Sequence, residues 1–220
     1  MKKPILIYCY DAYCGWCYGF SPVMKKISAR FQEIVDIEVL SGGMLIDESI
    51  APIEKIAPLI LNEYKRVEEV TGVKFGEDFL WHVKNPDQSD WVMNSEKPAI
   101  ALCIAKEIYP DKQLDFASDL QQALNAEGRD LDDDEAYRHL VSKYQFNEKA
   151  FYEKLHSDEY KSMARYEFAL CKQLQVMGFP AVLLQISETQ FYLVASGYTP
   201  FDELQQRLEA IFAETKIISI

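Results

Sequence analysis

The spacing of hydrophobic positions changes its period twice along the chain. Residues 3 to 10 form an apolar run rich in β-branched and aromatic side chains, and Val35-Asp36-Ile37-Glu38-Val39 alternates with period two; both predict strands. Between them, Gly15 to Phe31 places Trp16, Phe20, Val23, Met24, Ile27 and Phe31 on one helical face. The first 40 residues therefore spell a β-α-β unit with a right-handed crossover and parallel strands. From about Asp47 to His156 no strand pattern shows, and helical stripes take over. Ile53, Ile56, Ile60, Tyr64 and Val67 mark one, Ala99 to Tyr109 a second and Leu114 to Leu124 a third. The acids Asp132 to Glu135 suit the positive end of a further helix.

Period two returns at Ala181 to Ile186 and Phe191 to Ala195, joined by Ser187-Glu188-Thr189-Gln190, a link short enough for an antiparallel hairpin. Thr199-Pro200-Phe201-Asp202 predicts a final helix with Thr199 as cap and Phe201, Leu204, Leu208, Ile211 and Phe212 as its buried face. The expected fold class is α/β, with the β-α-β and β-β-α halves forming one sheet around a large helical insertion. Residues 1–46 and 158–220 would form the sheet domain and 47–157 the inserted helical domain. The apolar tail Ile217-Ile218-Ser219-Ile220 has no place in this pattern.

Composition narrows the partners. With 220 residues, 49% of them hydrophobic, the chain is long enough to be held by a core without disulfide or metal staples. Its net charge of −12 repels a phosphate backbone and an anionic bilayer, so neither nucleic acid nor a membrane is an expected partner. The start MKKPILIY resembles a signal peptide, but its apolar run is too short, Asp11 ends it and no small-residue cleavage site follows. A cytoplasmic location is the expectation. In that compartment five cysteines cannot all be structural bridges.

Cys14-Gly15-Trp16-Cys17 falls where the first strand ends and the first helix begins. At i and i+3 on one turn the sulfurs share a face and can open and close a disulfide with little backbone movement. The helix N-terminus stabilises a thiolate on the first sulfur, so Cys14 reads as the nucleophile and Cys17 as the resolving thiol. Zinc is not expected, because His82, His139 and His156 lack ligand spacing. Cys9, Cys103 and Cys171 lie on apolar stretches and read as buried spectators. Trp81, Trp91 and Met93 read as core, with a cleft lining as the alternative.

Cys14-Gly15-Trp16-Cys17-Tyr18-Gly19-Phe20-Ser21-Pro22 resembles the active-site stretch of the thioredoxin superfamily. The helical insertion and Gly178-Phe179-Pro180-Ala181 narrow the resemblance to the DsbA-like branch, and within it to signal-less proteins predicted to be protein-disulfide isomerases. The resemblance implies a thioredoxin fold and a cis Phe179-Pro180 peptide facing the cysteine pair. From the residues alone, a trans proline starting a strand is equally open. Trp16, Phe179, Pro180 and Gly43 are then expected to touch substrate, Phe179 through its backbone, although Gly42-Gly43 also reads as a tight turn. Two departures matter. Trp16 stands where strongly oxidising members carry His, so the reduced state should be less favoured here. No acid occupies the first-strand position that relatives use as a proton acceptor, where Tyr8 and Cys9 fall. Asp11 is open to proton transfer or to capping the turn.

The expected function is thiol-disulfide exchange through the Cys14 and Cys17 dithiol. No bound cofactor is expected; the partners would be protein or small-molecule disulfides and thiols, with glutathione as a candidate co-substrate. The alternatives are a glutathione-binding transferase or isomerase of the kappa-class or chromene-carboxylate-isomerase type, whose members characteristically carry Ser for the first cysteine, and a redox-regulated adaptor.

Overall fold

The computed structural model describes residues 3–217. It opens with β1 (Ile5–Tyr10), α1 (Gly15–Phe31) and β2 (Asp36–Ser41). A helical region follows, made of β3 (Ala51–Pro52), α2 (Ile53–Thr71), α3 (Glu77–Lys84), β4 (Val92–Met93), α4 (Glu96–Ile108), α5 (Gln113–Asn125), α6 (Arg138–Lys143), α7 (Glu148–Leu155) and α8 (Asp158–Gln173). The chain then returns through β5 (Ala181–Gln185), β6 (Phe191–Ser196) and α9 (Phe201–Glu214). Of the unexplained apolar tail, 218–220 lie outside the described residues.

The main sheet has the order β2-β1-β5-β6, with β1 parallel to β2 and antiparallel to β5. The expected β-α-β and β-β-α halves are thus joined along β1 and β5. Cys9 pairs with Ala181, so the end of β1 and the start of β5 meet at one edge. β1 is buried on both faces, which explains its unbroken apolar run. Leu6, Tyr8 and Tyr10 join the larger core, and Ile7 and Cys9 a smaller one under α8. α1 and α9 meet on the first face, where the Phe31 and Phe212 rings stand 5.4 Å apart. Burial of Phe20, Ile27, Leu204 and Leu208 there contributes about 1.5–3 kcal/mol per side chain.

The outer edge of β2 is closed by side chains from the helices. Val39 N donates to Gln113 Oε1 at 2.7 Å, Gln113 Nε2 donates to Ile37 O at 2.9 Å, and Ser41 N donates to Glu167 Oε2 at 2.9 Å. Lys106 donates to Val39 O and to both Glu38 and Glu167. These groups satisfy an edge that would otherwise expose unpaired backbone.

Four details differ from the sequence reading. The helical stretch contains a two-stranded ribbon, Ala51 opposite Met93 and Pro52 opposite Val92, too short to leave a periodic trace. Pro200, not Thr199, occupies the cap position of α9, and Thr199 Oγ1 instead donates to Gly197 O. The acids at Asp132 to Glu135 lead into a 3-10 turn over Asp134–Tyr137 before α6 begins, with Asp133 accepting from Glu135 N. Trp91 and Met93 are buried as expected, whereas Trp81 is 45% exposed. No helix among the described residues is long and apolar enough to cross a membrane.

Candidate active site

Cys14 is the N-cap of α1, with extended backbone (φ −83°, ψ 107°). Its sulfur accepts the Cys17 N–H at 3.1 Å, the place a Ser or Asp oxygen takes in an ordinary cap. The sulfur thus stands at the end of α1 where the first N–H groups lack helical partners. Cys17, one turn along, is fully buried, and burial together with the adjacent Cys14 pushes its thiol well above the ordinary range. Below it, Tyr8 Oη donates to Cys17 O at 3.4 Å, so a neutral phenol occupies this part of the core. The two cysteines are free thiols.

The Phe179-Pro180 peptide is cis, and Cys14 Sγ lies 3.6 Å from Phe179 O. The start of β5 and the N-terminus of α1 thus bring Cys14, Cys17, Phe179 and Pro180 together. Trp16 is half-buried between Tyr198, 6.2 Å away ring to ring, and Arg66, whose guanidinium lies 5.8 Å from its ring centre. A groove of about 320 Å³ opens from Cys14 between Trp16, Met44 and Phe179 on one side and Ile56, Ile60 and Tyr64 of α2 on the other. Part of the apolar stripe of α2 is therefore groove wall.

Gly43 occupies the turn after β2 with φ +68°, and a side chain on it would collide with the Phe168 ring. Met44, rather than Gly43, faces the groove. Gly42 stands against Phe179.

Asp11 is buried and ties the site together. Its carboxylate accepts from Tyr13 N at 3.0 Å, Met44 N at 2.7 Å and Ser95 Oγ at 2.9 Å, while its carbonyl accepts from Cys14 N at 3.2 Å. Burial raises its carboxyl above the usual range, against the lowering effect of those hydrogen bonds. The turn-capping role is the one this geometry displays. Ser95 comes from the helical region and has no local pattern to announce it, whereas Asp11, three residues before Cys14, is a candidate from the sequence.

A family model described as a DSBA-like thioredoxin domain matches residues 5–209. The chain belongs to that family. DSBA-like proteins are in general thiol-disulfide oxidoreductases. Among solved structures, this DSBA-like chain is similar to a candidate protein disulfide isomerase from Nitrosomonas europaea. The two share 26% identity at a TM-score of 0.84, over 97% of this chain and 99% of that one. It is also similar to the cytosolic disulfide reductase DsbM from Pseudomonas aeruginosa, with 21% identity and a TM-score of 0.77, over 94% and 98% of the chains. A second DsbM structure, with glutathione, gives a TM-score of 0.75 at 21% identity over the same shares. A 2-hydroxychromene-2-carboxylate isomerase shares the fold at 12% identity and a TM-score of 0.64, over 98% and 100% of the chains. Comparison with curated proteins gives no match in sequence.

Proposed function

We propose that this chain is a disulfide reductase or isomerase that works through Cys14 and Cys17. The observation that carries the reading is the inequality of the two sulfurs: Cys14 lines the groove and caps a helix, while Cys17 is sealed beneath it. The Cys14 thiolate attacks one sulfur of a substrate disulfide, forming a mixed disulfide and expelling the other sulfur as a thiolate, which takes up a proton. Cys17 then loses its proton and attacks Cys14 Sγ, closing the intramolecular disulfide and releasing the second substrate thiol. The substrate gains two electrons and two protons. Two donor thiols return them to the chain: the first opens the Cys14–Cys17 bond as a mixed disulfide and the second displaces it, leaving as the donor's own disulfide. Glutathione is the donor proposed, supported by the likeness to DsbM, which is known with glutathione and is cytosolic. A cytoplasmic setting belongs to the same proposal, as do Phe179 and Pro180 as the edge on which an extended substrate pairs.

Reduction of insulin disulfides at the expense of glutathione tests it. Wild type should turn over, and Cys14→Ser should lose at least 100-fold. Turnover that survives in Cys14→Ser rejects the reading. Conjugation or isomerisation of a glutathione adduct without any need for the dithiol would instead support the transferase or isomerase class.

A further inference from the structure

Strand alternation sends Cys9 to the face of β1 opposite Tyr8 and Tyr10, away from the Cys14 and Cys17 site. There it belongs to a small core with Ile7, Leu40, Ala181, Leu183 and Cys171. Cys171 sits in the last turn of α8, the helix lying over that face. Its sulfur is 3.6 Å from Ser41 O, and Ser41 follows Leu40, the residue opposite Cys9 in the β1–β2 register. On the other side of Cys9 stands Ala181, a small residue of the same core. Contact with the Cys9 thiol, ahead of burial, pushes the Cys171 thiol far above the ordinary range. Cys103 belongs to the larger core and serves as the comparison thiol.

We propose that Cys9 and Cys171 are a second dithiol, which small disulfides oxidise to a bond between β1 and α8. Both thiols are buried, so the reaction follows local opening of the last turn of α8, beyond which Gln175 already has a left-handed backbone (φ 58°). The exposed Cys171 thiol ionises and attacks a small disulfide such as glutathione disulfide. A glutathione mixed disulfide forms and one glutathione leaves. Cys9 loses its proton and displaces the second glutathione, closing the Cys9–Cys171 bond. Two thiols are oxidised and one disulfide is reduced to two thiols. The bond anchors the end of α8 from which the chain runs to Phe179 and Pro180, and it closes a loop containing most of the sequence.

The test uses the full chain carrying Cys14→Ser and Cys17→Ser, so it is independent of the reading proposed for the first pair. The folded protein is incubated with glutathione disulfide, quenched in acid, alkylated and digested for mass spectrometry. The expected product is a cross-linked peptide containing Cys9 and Cys171, with Cys103 alkylated. The melting temperature should rise by roughly 5 °C on oxidation, a shift absent when Cys171→Ala is added. Recovery of Cys9 and Cys171 both alkylated overturns the proposal. So does a glutathione adduct that persists on Cys171 beside a free Cys9, and so does oxidation of Cys103 at the same rate.

Discussion

The ring of Phe179 fills the space that a side chain on Gly42 would need: a β-carbon there would stand 2.0 Å from the ring's Cζ. The loop after β2 and the segment before β5 are thereby fitted to each other beside Cys14. Gly42→Ala should displace the ring while leaving the sheet in place. We expect KM for a peptide disulfide to rise about tenfold, with a stability loss of about 1 kcal/mol, comparable to ordinary overpacking. Unchanged KM would mean that the Phe179 ring does not shape the substrate edge. Gly43→Ala should act on stability instead, because its positive φ alone costs about 1–2 kcal/mol with a side chain.

The unequal burial of the two sulfurs predicts an unequal trapping experiment. Cys17→Ser should accumulate mixed disulfides, since the first attack still occurs and nothing in the chain resolves it. Cys14→Ser should accumulate none at Cys17. Non-reducing electrophoresis after acid quenching reads the difference, and equal trapping in both variants would reverse the assigned roles.

Trp16 offers its neighbour no positive charge. Trp16→His would place an ionisable ring between the cysteines, and its protonated form favours a nearby thiolate. The reduction potential of the dithiol should rise by roughly 30 mV for each 1.4 kcal/mol of that preference. Equilibration against glutathione buffers measures it; an unchanged or lower potential contradicts the argument.

Asp11 yields a pH dependence. Its carboxyl is raised in the fold, so the folded state binds the proton more tightly than the unfolded chain does. The contribution to stability is fully present below the unfolded value near 4 and is lost as pH climbs through the raised folded value. Asp11→Asn lacks this titration, and its amide group turns a donor toward the Tyr13 or Met44 N–H. The variant should be less stable by about 1–3 kcal/mol in acid, and the gap should narrow toward neutral pH. Denaturant titrations at a series of pH values check the sign; a widening gap would refute it.

At the β2 edge Lys106 and Glu167 form a largely buried charge pair, with the more exposed Glu38 beside them. Burial works to lower the Lys106 ammonium, but Glu167 and Glu38 overcome it and raise it above the ordinary range. Lys106→Met should destabilise by about 3–5 kcal/mol, because Glu167 is left buried without its cation. Adding Glu167→Gln should recover part of that loss. A double-mutant cycle with no coupling would show that the pair is solvated.

What could be read from the chain beforehand was whatever repeats locally. β1, α1, β2, β5 and β6 each declare a period within a few residues, and the Cys14 pair declares itself by its place on a strand-to-helix turn. The fit of Ser95 to Asp11 and of Gln113 and Glu167 to β2 left no such mark, because each joins residues far apart in sequence. The two-residue strands β3 and β4 are shorter than any period. The α2 stripe was legible as apolar, but periodicity does not tell a wall of a groove from a wall of a core. The sequence points to Thr199 as the cap because Thr-Pro commonly opens a helix, whereas here the Gly197 carbonyl, at a turn with φ +81°, takes the hydroxyl.

The cap of α1 is a sulfur, and a sulfur can change oxidation state. As a thiolate, Cys14 is a strong acceptor for the Cys17 N–H; within a disulfide it is a weak one. Folding and reduction are therefore two sides of one thermodynamic box. Whatever free energy the cap adds to the reduced fold also makes the folded dithiol a stronger oxidant than the same four residues in an unstructured peptide. The exchange rate between the two scales is about 30 mV to 1.4 kcal/mol. A pair of melting curves, one in each redox state, and a potentiometric titration thus report on the same hydrogen bond.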